Sequence, residues 1–141
     1  MDGNRTLVAT IVGAVVAFFL GYLLWGVVLV GFFEANMGTA TGVMKETPSL
    51  IPIALGQIFG ALLLTLVIQR WGNSASVAGG AKVGAIVGLL VTLSYDLTMY
   101  GSANLMNLTA ALVDSVVGAV HMAVVGAAIG MVLGRGAASK V

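Results

Sequence analysis

The distribution of charged residues constrains this chain more than any other feature, because four long segments carry almost no charge. Two of these segments contain no Asp, Glu, Lys or Arg, the third contains only Asp96, and the fourth contains only Asp114 together with His121. A helix crosses a bilayer with about 20 apolar residues, whereas membrane β-strands are shorter and alternate in polarity. We therefore predict an all-α polytopic membrane protein, a bundle of four transmembrane helices in a single membrane domain of residues 1–141. The predicted spans are about 7–33, 49–69, 83–100 and 108–134.

The composition excludes several other classes of protein. The chain is 60% hydrophobic and 8% charged, with a mean hydropathy of +1.11, whereas a soluble domain carries about 25% charged residues. A soluble enzyme, a disordered tail and a nucleic-acid-binding protein are all excluded, and the net charge of +1 favours no polyanionic partner. Since the chain has no cysteine, it can form no disulfide or thiolate metal site. The lipid bilayer is the partner that the composition predicts.

The basic residues predict the orientation of the bundle. With four spans, the amino terminus, the second connection and the carboxy terminus lie on one side of the membrane. That side carries five basic residues and the other side only one, Lys45, so both termini are predicted to be cytoplasmic. A reporter fused to the carboxy terminus that is active only outside would contradict this topology. The five residues are Arg5, Arg70, Lys82, Arg135 and Lys140.

The connection between the second and third spans is predicted to turn twice. Residues 70–82 read RWGNSASVAGGAK, and both Gly72–Asn73 and Gly79–Gly80 are strong turn signals. We therefore predict that the third helix begins only at Val83.

Glycines spaced four apart predict where the helices approach one another. In lipid, helices associate by close packing and by interhelical hydrogen bonds, and small residues let two backbones come close. These glycines pack the helices within one bundle in the favoured interpretation. In the alternative, the stripe on helix four joins copies of the chain into a homo-oligomer. The glycines are Gly56 and Gly60 in helix two, Gly84 and Gly88 in helix three, and Gly126, Gly130 and Gly134 in helix four.

Ionisable residues inside the spans are candidate functional residues, because burying such a group in a membrane costs several kcal/mol. Asp96 and Asp114 are predicted at similar depths in the outer half of the membrane, and His121 lies near its middle. Asp114 and His121 share one face of helix four but are ~10.5 Å apart along its axis, too far for a hydrogen bond. Gln57 also falls in the outer half, and Tyr95 precedes Asp96. The inner half is predicted to be almost purely Gly, Ala, Val and Leu.

Each ionisable residue also has a purely structural interpretation. Asp96 can reach the membrane interface or bond to nearby Ser, Tyr or loop groups. Asp114 can bond to polar residues near the start of its own helix, and His121 can be an interhelical hydrogen-bond partner. A metal site needs at least three converging ligands, so we predict neither a metal nor a cofactor. The polar candidates beside Asp114 are Asn104, Asn107 and Thr109.

Two groups of residues resemble families of known proteins. The stretch Gly21–Gly26, which contains Trp25, followed by Phe32–Phe33, resembles the Trp-and-Phe signature of small bacterial membrane proteins grouped as domains of unknown function. The block Leu108–Asp114, followed by His121 and the glycines near Gly130, is similar to their last helix, and the motif Tyr95–Thr98 resembles a second uncharacterised four-helix family. The resemblance implies four helices and a bacterial inner membrane, with no established activity and no catalytic residues to transfer.

Two functional hypotheses follow from these residues. We predict an accessory or structural membrane subunit that packs on a larger complex, or on further copies of itself, through its glycine faces. The alternative is a small oligomeric transporter or channel, coupled to protons or cations, that uses Asp96, Asp114 and His121. An intramembrane enzyme is disfavoured because the chain lacks a nucleophile–base pair on one helix and a metal motif such as HExxH.

Overall fold

The computed structural model describes residues 3–71 and 74–135, and this part of the chain forms a bundle of apolar helices. Four helical segments are long and apolar enough to cross a membrane. The predicted all-α, four-span architecture is therefore confirmed. The predicted Gly72–Asn73 turn and Lys140 lie outside the described residues. The helices are α1 (Gly3–Leu23), α2 (Val30–Ala35), α3 (Leu50–Arg70), α4 (Val77–Ser102) and α5 (Leu108–Gly134), with a π-helical segment (Leu24–Val28) between α1 and α2.

The first span is not one regular helix as predicted. After Leu23 the backbone widens into the π-helical segment, in which the Leu29 N–H donates to the Leu24 carbonyl oxygen at 2.9 Å. Such a segment adds a residue to the helical turn and redirects the side chains around it, often at a functional site. Trp25 lies in this segment.

Helix α5 lies at the centre of the bundle. It packs most extensively on α4 and also against α1, while α3 packs mainly on α1 and less extensively on α5. The apolar core lies among α1, α3 and α5, which leaves most of the surface of α4 for lipid. The buried core side chains are Ala9, Ala17, Leu64, Ile68, Val125, Ile129 and Leu133.

Glycines bring α4 and α5 into backbone contact. A methyl group added at Gly80 would collide with the carbonyl oxygen of Gly126, and one added at Gly126 would collide with that of Gly80. Gly84 and Gly88 of α4 meet the α5 backbone in the same way. In the apolar medium of a bilayer this close approach replaces the hydrophobic driving force that holds a soluble bundle together.

The predicted turn at Gly79–Gly80 is wrong, since α4 begins six residues before Val83, at Val77. The Ser76 hydroxyl accepts a hydrogen bond from the Gly79 N–H at 3.0 Å and caps the helix. The two glycines are therefore helical. Gly80 is needed for the contact with α5, which a local turn rule does not take into account.

The connections 36–49 and 103–107 meet at one end of the bundle, which we call the loop end. The opposite end, which carries residues 3, 71 and 135, is called the terminal end. At the loop end the Gly38 N–H donates to the Leu105 carbonyl oxygen at 3.0 Å, and the Asn107 N–H donates to that of Asn36 at the same distance. These backbone bonds tie the end of the first span to the start of α5.

Candidate functional site

A buried carboxyl group on α4 begins the site. Asp96 is 1% exposed, and its Oδ2 lies 3.0 Å from the hydroxyl of Ser115 on α5. The same hydroxyl lies 2.9 Å from the carbonyl oxygen of Ala111. Since α4 and α5 pack backbone to backbone, this short polar contact fits between them. Asp96 therefore makes a hydrogen bond to a serine, which is one of the structural alternatives considered from the sequence.

Asp114 brings a second carboxyl group to the same place. It projects from α5 one residue before Ser115, which contacts Asp96, so the two carboxyl groups lie close enough for their charges to interact. The indole N–H of Trp25 donates a hydrogen bond to Asp114 Oδ1. None of the polar residues considered from the sequence as partners of Asp114 makes this contact. The structure thus brings two carboxyl groups from adjacent helices together beneath one tryptophan.

Trp25 also contacts His121, the third ionisable residue of the spans. The two rings pack edge to face, with centroids 5.2 Å apart and planes at 80°. His121 Nε2 lies 2.9 Å from the Ala17 carbonyl oxygen. Because a carbonyl oxygen only accepts, Nε2 carries a proton and donates it. Trp25 therefore links Asp114 and His121, which are too far apart on α5 to bond directly.

Trp25 is not among the predicted site residues, although it lies in the stretch Gly21–Gly26 that resembles a family signature. The signal that points to it is physical: an indole N–H inside a membrane span needs a hydrogen-bond acceptor. Gly21 also belongs to this arrangement, because a methyl group there would lie 3.6 Å from His121 Nε2. The identity of the acceptor depends on the π-helical segment, which the sequence pattern did not predict.

Two other candidate residues lie apart from this cluster. Tyr95 is 60% exposed on the outer surface of α4, where lipid would cover it. Gln57 of α3 is half-buried and hydrogen-bonds to none of the residues in 3–71 and 74–135.

The candidate glycines differ in their surroundings. Gly56 and Gly60 lie on the same open part of α3 as Gln57, and a methyl group added at either would meet no atom within 4 Å. The remaining candidate glycines, on α4 and α5, pack closely against the neighbouring helix or the Ala75–Ser76 backbone.

The terminal half of the bundle is more polar than predicted. The hydroxyl of Thr6 and the amide of Gln69 hydrogen-bond at 2.9 Å and connect α1 to α3. Further into the bundle, Thr10 and Thr65 are buried, and their hydroxyls have no hydrogen-bond partner within the described ranges. The prediction of an almost purely apolar inner half is therefore wrong along the contact between α1 and α3. The overall composition does not reveal this polar contact, because its residues are few and lie on two helices that are far apart in the sequence.

A cavity of about 420 Å³ lies at the loop end, against the same tryptophan. Ten side chains line it, contributed by the first span, the two connections and the start of α5. Nearly all of them are apolar, and Glu34 is the single charged residue among them. Trp25 therefore lines this cavity while its N–H reaches Asp114.

Within the described part of the chain, no three His, Asp or Glu residues converge as a metal site would require. No protein-family model, curated protein or solved structure matches the chain. The candidate functional site, which we call the polar cluster, consists of Trp25, Asp96, Asp114, Ser115 and His121.

Proposed function

We propose that this multi-pass membrane protein is a small proton-coupled transporter or channel, in which the Asp96–Asp114 pair takes up and releases the proton. The observation that carries this proposal is the convergence of two carboxyl groups from adjacent spans in a largely apolar bundle. A structural subunit would need only apolar contacts and small residues to pack. A paired acidic site is costly in a membrane and is typical of proton relays.

The hydrogen bonds around the pair allow it to hold a single proton. Two adjacent carboxylates repel each other strongly in a medium of low dielectric constant, so one proton between them is favoured. The Ser115 hydroxyl has one proton but lies close to two acceptors, Asp96 Oδ2 and the Ala111 carbonyl. When Ser115 donates to Ala111, a proton on Asp96 Oδ2 can be donated to Ser115 in turn, while Asp114 Oδ1 accepts from Trp25.

Other polar groups extend from the pair toward the terminal end. His121 follows through its contact with Trp25, and Thr10 and Thr65 lie nearer the terminal end between α1 and α3. The carbonyl that His121 binds, on Ala17, is seven residues from Thr10, or about 10.5 Å of helix. Apolar side chains fill this interval, so passage requires α1 to move relative to α3 or α5. In the orientation predicted from the basic residues, the carboxyl pair faces the outer side.

Replacing Asp114 by Asn tests the proposal. In proteoliposomes with an imposed pH gradient, we expect the wild-type protein to carry protons. We expect Asp114→Asn to lower the rate at least tenfold, because the amide keeps the size of the side chain but cannot exchange the proton. Glu46→Gln, which neutralises an exposed carboxylate in a connection, is the matched control and should leave the rate unchanged. Equal fluxes in wild type and Asp114→Asn would contradict the proposal.

The open face of α3 favours a second candidate function, that of an accessory subunit. A methyl group added at Gly56 or Gly60 would meet no atom within 4 Å, and the Gln57 amide beside them has no interhelical partner among the described residues. Small residues flanking an unpaired amide are typical of the surface on which another transmembrane helix packs. The same features would also serve a second copy of this chain in an oligomeric transporter.

This second candidate predicts that Gly60→Ile weakens association. In gentle detergent, the wild-type protein should co-purify with a stoichiometric membrane partner or with itself, and Gly60→Ile should abolish this because the larger side chain keeps the helices apart. Leu55→Val alters a lipid-facing position on another part of α3 and should have no effect. A wild-type protein that purifies as a lone monomer would exclude the accessory role.

A further inference from the structure

The cavity at the loop end has the composition of a small-molecule binding site. Its volume of about 420 Å³ lies within the range of ligand pockets, which are about 300–1,000 Å³, mostly apolar, and contain a few polar groups that orient the ligand. Two features single it out from an ordinary apolar groove. They are the aromatic ring of Trp25 and the carboxylate of Glu34.

The charge of the lining favours a cation. Glu34 is the single charged residue of the lining, so a ligand anion would meet repulsion and no basic partner. In the described ranges no basic side chain forms an ion pair with Glu34, and Lys45, in the connection that follows α2, bonds to the Ser49 hydroxyl at 3.4 Å. The carboxylate is therefore available to an incoming positive charge.

The apolar walls favour an organic cation over a metal ion. Ca²⁺ and Mg²⁺ need several oxygen ligands, whereas this lining offers one carboxylate among side chains such as Phe33, Met37 and Met106. An ammonium group that carries an aromatic or alkyl body suits such walls, because Glu34 can pair with the charge while the aromatic rings and thioethers pack against the body.

We propose that the cavity binds a small organic cation, with its charge at Glu34 and its apolar body against Trp25. The ligand class is an alkyl or aryl quaternary ammonium compound. This binding site goes beyond the proposed function, because occupancy from the loop end requires no proton to move through the bundle. It makes Trp25 the residue that lies between the ligand and the Asp96–Asp114 pair.

The test uses the fluorescence of Trp25. In a Trp71→Phe background, Trp25 is the sole tryptophan of the chain, and benzyltrimethylammonium chloride is titrated into the full-length protein in detergent. We expect a saturable change in Trp25 emission. Adding Glu34→Gln should weaken the affinity at least tenfold, and adding Glu46→Gln should leave it unchanged, with circular dichroism confirming that each variant is folded.

Phenylmethanesulfonate is the probe of opposite charge and should give no saturable signal. The proposal is overturned if benzyltrimethylammonium produces only a linear change, as partition into the micelle would. It is also overturned if Glu34→Gln binds as tightly as the parent, or if the sulfonate binds equally well.

Discussion

Gly126→Ala should destabilise the protein strongly, although it adds only one methyl group. The new methyl group would collide with the carbonyl oxygen of Gly80. Because this oxygen belongs to the backbone, it cannot rotate away as a side chain can. Overpacking of a tight core costs about 1–3 kcal/mol, and a collision with backbone should reach or exceed the upper value. The free energy of unfolding, followed by circular dichroism during titration with a denaturing detergent, measures this loss.

Gly56→Ala is the matched control for this substitution. It makes the same chemical change in a helix, but at a position where the added methyl meets no atom within 4 Å. Because alanine favours a helix by about 1 kcal/mol over glycine, the control should be as stable as the wild type or more stable. Equal losses in Gly126→Ala and Gly56→Ala would show that α4 and α5 do not meet at their glycines.

Trp25→Ala should have the second large effect on stability. The substitution removes the indole that packs on His121 and donates to Asp114. Truncating a fully buried aromatic residue costs about 3–5 kcal/mol, so for the half-buried Trp25 we expect a loss near the lower value. Trp25→Phe keeps a ring but removes the N–H, which should cost about 1–3 kcal/mol for the unsatisfied carboxyl group. The same detergent titration should order the stabilities as wild type, Trp25→Phe and Trp25→Ala.

Trp71 provides the control for Trp25. It is 69% exposed at the terminal end of α3, so Trp71→Phe should change the free energy of unfolding by less than about 0.5 kcal/mol. A Trp25→Phe variant as stable as the wild type would remove the evidence for its bond to Asp114.

The sequence predicts the four spans well because the bilayer imposes one dominant requirement. Each span must satisfy its own backbone hydrogen bonds over about 20 apolar residues, so long charge-free segments are sufficient evidence for it. The depth of Asp96 and Asp114 follows from their distance to the helix ends, which is why their similar level could be predicted. Their contact also needs α4 to lie beside α5 with the right rotation, and the sequence pattern leaves that rotation undetermined.

Other parts of the site depend on features that local patterns do not carry. Gly79–Gly80 has a strong turn signal, but the contact between Gly80 and Gly126 keeps it helical. Trp25 reaches Asp114 from a π-helical segment that has no clear sequence signature. Thr10 and Thr65 are 55 positions apart in the chain, and their common position between α1 and α3 becomes evident only once these helices pack together.

The central claim is that Asp96 and Asp114 share one proton, and infrared spectroscopy of the membrane-embedded protein tests it most directly. A protonated carboxyl group has a carbonyl stretching band distinct from that of a carboxylate, and the other described acids, Glu34 and Glu46, are exposed. We predict this band at neutral pH in the wild type, shifted or lost in both Asp96→Asn and Asp114→Asn. A wild-type spectrum without the band, or a band that neither substitution alters, would contradict a shared proton.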